Sequence, residues 1–94
     1  MNGSKVAISG SVDIRMLLPI LVQAENEARR GRAENRLEID CFAVDDFTSL
    51  ALAELVRCRR ALGEAGSDLC LAGCSERLRS RMVHPLFQAL CRPE

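Results

Sequence analysis

Residues 36 to 52 read RLEIDCFAVDDFTSLAL. The opening residues, Arg36 to Phe42, alternate: Leu37, Ile39 and Cys41 fall on one side, Glu38 and Asp40 on the other. That period of two predicts a strand with one face against a core. The closing octet, DDFTSLAL, opens a long amphipathic segment that reaches about Leu62, so it marks a helix start. A strand running straight into a helix is the unit from which alternating α/β domains are built.

The same alternation continues outward. Upstream, Lys5 to Ser9 (KVAIS) is β-prone, with Val6 and Ile8 on one face and Gly10 as its end. Asp13 is placed to cap a first helix. Leu17, Leu18, Leu21, Val22, Ala24 and Ala28 form its expected buried stripe, and Glu25, Glu27, Arg29 and Arg30 its wet side. Pro19 falls in the second turn, where it costs stability or bends the helix, and Gly31 is the expected stop. Downstream, Gly63 and Gly66 bracket the end of the second helix. Asp68 to Ala72 (DLCLA) reads as a strand, and Gly73 turns the chain. Ser75 caps a third helix that Pro85 interrupts, and Phe87 to Cys91 reads as a short edge strand. The expected order is β-α-β-α-β-α-(β): a mostly parallel or mixed sheet of about four strands with three helices, joined by right-handed crossovers. Residues 1–94 form one small domain, without repeats or linkers.

Composition narrows the function classes. The 13 basic and 13 acidic side chains cancel, so no global field draws the chain to nucleic acid or an anionic membrane. Three Phe and no Tyr or Trp leave almost no stacking platforms for single-stranded nucleic acid. Met16 to Val22 is too short to cross a bilayer and contains a proline, and the N-terminus has no signal-peptide pattern. The expected location is a reducing cytosol. Five cysteines, an odd number, argue against a closed disulfide framework. Cys70 and Cys74 in CLAGC have the look of half a metal site, but the spacing matches no strong zinc pattern and His84 stands apart from any ligand cluster. They read better as small apolar residues, and no metal or cofactor is expected.

No constellation for catalysis emerges. No Gly-rich phosphate loop is present. His84 has no nucleophile to serve and reads as a surface or capping residue. Asp45 and Asp46 read as acidic residues at a helix N-terminus, where negative charge is favourable by ~0.3–1 kcal/mol. The arginines at 57, 59 and 60 and at 77, 79 and 81 read as solvated helix faces, or as a hold on an acidic partner patch. No catalytic residue is assigned; the expectation is a binding module rather than an enzyme.

Several pieces resemble one family. ISGSVD (8–13) resembles the strand end of STAS domains, the sulfate-transporter and anti-sigma-factor-antagonist fold. LEIDCFAV (37–44) resembles the family's central strand. DDFTSLAL takes the place of its Asp-Ser-Ser-Gly-Leu signature, and LCLAGCSERL (69–78) that of the following strand, turn and third helix. The resemblance spans about residues 5 to 90. It implies a bacterial, cytoplasmic regulator that docks a serine-kinase-like anti-sigma partner through the start of helix two. A second branch, the accessory STAS subunits of lipid-trafficking ABC transporters, implies docking of an ATPase through the same face.

Position by position, Thr48 stands at the signature Asp, Ser49 at the first Ser, Leu50 at the phosphorylated Ser, Ala51 at Gly and Leu52 at Leu. Leu50 accepts no phosphate. The switch is therefore lost, or it has moved to Ser49 or Thr48 as candidate phosphosites. At ~100° per residue, Leu50 shares a face with Ala53, Glu54 and Arg57, the expected solvent side. It is either a stray surface leucine or a constitutive contact. Ser49 lies nearer the core face and, apart from phosphorylation, reads as a hydroxyl satisfying a free backbone amide. The expected partner surface is Asp46, Thr48, Ser49, Leu50, Glu54 and Arg57. Many family members begin with a strand for which this chain has no residues before Lys5. One sheet edge is thus expected to be bare, open to self-pairing in a homodimer or to burial by a partner.

Overall fold

Ile39 and its neighbours in the second strand form the middle of the sheet in a computed structural model, which describes residues 3–31 and 36–92. The elements are β1 (Gly3–Val12), α1 (Ile14–Arg29), β2 (Arg36–Phe47), α2 (Ser49–Glu64), β3 (Asp68–Ala72), α3 (Glu76–Arg81) and α4 (Pro85–Gln88). The fold class is α/β. The three strands are all parallel, in the order β1-β2-β3. Two successive crossovers of the same hand put α1 and α2 on one side of such a sheet. The two helices pack against each other, and the buried residues form one cluster.

β2 is longer than its alternation predicts, and the reason is local. Leu37, Ile39 and Cys41 are buried as expected, but the next buried residues are Val44 and Phe47. The period of two slips twice. Each slip coincides with a register shift against β1: Ala7 pairs with Asp40 but Ser9 with Ala43, and Gly10 pairs with Val44 but Ser11 with Asp46. At each shift β2 carries an extra residue, as in a β-bulge. Phe42 sits in the first and is left 85% exposed. The strand therefore continues through Asp45 and Asp46, which belong to β2 and not to a helical first turn, contrary to the sequence reading.

Several helix expectations are also corrected. Leu17, Leu21 and Ala28 are buried and Ala24 partly so, but Leu18 and Val22 point outward, 39% and 52% exposed. Glu25, expected on the wet side, is half-buried against α2. Pro19 lies inside α1 on its exposed side, so the carbonyl it leaves unpaired faces water. Gly31, Gly66 and Gly73 adopt positive φ at the ends of α1, α2 and β3, a conformation glycine enters without steric cost. Phe87 to Cys91 is not a strand. Pro85 starts α4 instead, and only Cys91 bridges to β3, at Leu71. The sheet among the described residues has three strands rather than four, and β1 forms an edge without a strand partner.

Substitutions should report this layout. Ile39, fully buried in the strand paired on both sides, should lose about 2–5 kcal/mol as Ile39→Ala. Phe42→Ser should stay within about 0.5 kcal/mol of wild type. Urea unfolding midpoints check both; equal losses would contradict the placement of the bulge.

Candidate partner-binding site at the start of α2

Parallel strands deliver their carboxyl ends to one side of the sheet, and each is followed by a helix cap there. Asp13, Thr48 and Ser75 are these caps. Each fills its own helix end: the backbone amides of Met16, Ala51 and Leu78 donate to their side chains at 3.1, 3.2 and 3.1 Å. The Thr48 amide donates to the Val12 carbonyl at 3.0 Å, which pins the start of α2 to the end of β1. The capping role assigned to Ser49 thus belongs to Thr48. Ser49 is the first helical residue and is exposed.

The charged members of the predicted surface have internal partners. Asp46 accepts from the Phe47 amide at 2.9 Å and pairs with Arg81 at 2.6 Å, tying β2 to α3. Arg57 donates to Glu54 and to Glu25, both at 2.6 Å, tying α2 to α1. Those hydrogen bonds, Glu54 first and Glu25 second, raise its guanidinium above the ordinary arginine value and keep it charged. Leu50 is 68% exposed in the first turn, as the helical geometry predicts. The six residues therefore divide. Thr48, Asp46, Glu54 and Arg57 have internal partners, and Ser49 and Leu50 present an exposed hydroxyl and an exposed apolar side chain.

Within the basic clusters Arg59 and Arg79 also have internal partners, while Arg60 and Arg77 are exposed, as a solvated helix face predicts. Arg59 donates to Asp68 and to the Ala89 carbonyl at 3.4 and 2.8 Å, and Arg79 to the Arg92 carbonyl at 3.0 Å. His84 caps α4, its Nδ1 accepting from the Leu86 amide at 3.1 Å. The sequence reading missed the exposed Phe42 and Val83, because exposure there follows from a bulge and a loop, not from a regular period. It also missed the partner of Cys74. That partner is Cys91, at 3.6 Å between sulfurs, and not its sequence neighbour Cys70.

Cys58, Cys70, Cys74 and Cys91 are all pushed above the ordinary cysteine value. Burial, with the nearby Glu25 charge, pushes Cys58 up to about 12. A hydrogen bond with Cys41, together with burial, pushes Cys74 up to about 12. Among the described residues no three His, Cys, Asp or Glu side chains converge as a metal site, and no helix is long and apolar enough to cross a membrane. Compared with models of known protein families and with curated proteins, the sequence matches none.

The raised thiols have a consequence for stability. An unfolded thiol ionises near ~8.5. Above that pH the unfolded chain releases protons that folded Cys58 and Cys74 retain to about 12. The unfolded state then binds fewer protons, so stability is full below about pH 8.5 and declines toward pH 12. Denaturant midpoints should be flat from about pH 7 to 8 and fall above about 8.5, with a shallower fall in the Cys58→Ala/Cys74→Ala protein. A midpoint that rises over the alkaline range would contradict this.

Proposed function

We propose that this chain is a non-catalytic, cytosolic protein-binding module of STAS type. In this reading it acts as an anti-sigma factor antagonist and docks a serine-kinase-like anti-sigma partner through the first turn of α2. One observation carries the proposal. Leu50, at the position the resemblance assigns to the partner-facing phosphoserine, is a solvent-exposed leucine on a turn whose cap is already satisfied.

The physical chemistry favours a constitutive contact. Fully burying a leucine side chain contributes about 1.5–3 kcal/mol, a factor of roughly ten to a hundred in affinity. Leu50 offers no oxygen for phosphoryl transfer, so the complex is not released by modification at that position. A phosphate on exposed Ser49 would sit near the positive end of α2 and leave the helix intact. It would act on the partner through charge and bulk. The protonated thiol of buried Cys58 supports a non-catalytic role, because the thiolate is the nucleophile.

The test is capture from the native cytosol by wild type and Leu50→Asp, with bound proteins identified by mass spectrometry. A serine-kinase-like protein held by wild type and lost by at least about tenfold in Leu50→Asp, with unchanged circular dichroism, is the expected result. Ser49→Ala should keep the partner to within about threefold. Capture of a transporter ATPase instead would make the chain an accessory transporter subunit. Equal capture by Leu50→Asp would remove α2 from the interface.

A further inference from the structure

Three sulfur side chains meet beyond the carboxyl end of β3. Cys74 follows the Gly73 turn, Met82 ends α3, and Cys91 returns to the sheet after α4. The Cys91 sulfur lies 3.6 Å from that of Cys74 and 3.5 Å from that of Met82. Cys74 and Met82 are buried and Cys91 is half-buried, so the cluster is enclosed but reachable from one side. Two backbone hydrogen bonds fix the return of the chain: Leu71 to the Leu90 carbonyl at 2.8 Å and Arg92 to the Leu71 carbonyl at 2.7 Å.

We propose that Cys74, Cys91 and Met82 form a binding site for copper(I). The donors are two thiols and a thioether, the soft set that selects this ion. Metal–sulfur bonds of about 2.3 Å place sulfurs that share one ion somewhat under 4 Å apart, and the Cys91 sulfur meets that requirement toward both Cys74 and Met82. Zinc in structural sites takes four nitrogen, sulfur or oxygen ligands, and no third His, Cys, Asp or Glu among the described residues completes such a set. A third ligand of thioether type serves copper(I) and not zinc.

Charge and protons balance without an electron transfer. Copper(I) binds as both thiols release their protons to solvent, so one positive ion enters and two protons leave. The copper and two thiolates carry a net charge of minus one. The Arg79 guanidinium is fixed by the Arg92 carbonyl at 3.0 Å. Occupancy clips the segment after α4 to the turn after β3, joining residues 17 apart in sequence.

The experiment is an anaerobic titration of the full chain with copper(I) buffered by bicinchoninate, read as loss of the coloured copper–chelator complex. Wild type should withdraw one equivalent per chain, and X-ray absorption should show a sulfur-only shell. Cys91→Ala and Cys74→Ala should each abolish the stoichiometric site. Met82→Leu should weaken it, and Cys70→Ala should leave it intact. Zinc(II) should not compete. Circular dichroism guards against misfolding, and if Cys74→Ala does not fold, the half-buried Cys91→Ala decides. A chelator that keeps all its copper, a site that persists without Cys91, or nitrogen or oxygen donors in the absorption shell would overturn the assignment.

Discussion

The pairing of β2 on both sides is the constraint on which the rest depends. Ile39 is fully buried, paired with Val6 across one ladder and Leu71 across the other. A chain this small has little stability to spare, so one central strand carries much of it. The two bulges belong to the same design. They lengthen β2 past the point where strict alternation would end it, so that it reaches Thr48. There the hydrogen bond from the Thr48 amide to the Val12 carbonyl fixes where α2 begins. The candidate partner surface is thus a product of strand pairing, delivered by the sheet to one end of the molecule.

Charge follows a second rule. The helices are rich in arginine and glutamate, yet much of that charge is used inside the molecule. Arg57 joins α2 to α1, Arg81 joins α3 to β2, and Arg59 joins α2 to β3 and to α4. An exposed pair contributes only ~0–1 kcal/mol, so these contacts matter more for orientation than for stability. Their effect on function is subtractive. Side chains that carry out internal tasks are less free for a partner, and what stands out at the start of α2 is an uncharged serine and leucine.

The parts legible in the sequence were those governed by a regular period or a local cap. β3 and the Asp13 and Ser75 caps match their sequence reading, and of the expected solvent face Leu50, Ala53 and Arg57 are exposed while Glu54 is half-buried. The misreadings occur where a period breaks or where two distant segments meet. The β2 bulges conceal its last five residues from an alternation test, and Thr48, not Ser49, became the cap because the strand ran longer. Leu18 and Val22 fit an apolar stripe, but the stripe is wider than the face that α1 buries. Phe87 to Cys91 has strand-like residues, yet Pro85 favours a helix start and His84 caps it. No spacing rule predicts the meeting of Cys74 with Cys91, because tertiary structure alone brings them together.

The proposed docking of a protein partner by the first turn of α2 has a direct test. The most direct measurement is site-specific photocrosslinking in cells, with a benzoylphenylalanine placed at position 50, at position 42 in the β2 bulge, or at position 22 on the outer side of α1. All three positions are well exposed, so exposure alone gives equal yields. One discrete crosslinked protein is expected from position 50 and only background from 42 and 22. Crosslinks of similar yield from all three, or a discrete partner from 42 or 22 and none from 50, would contradict it.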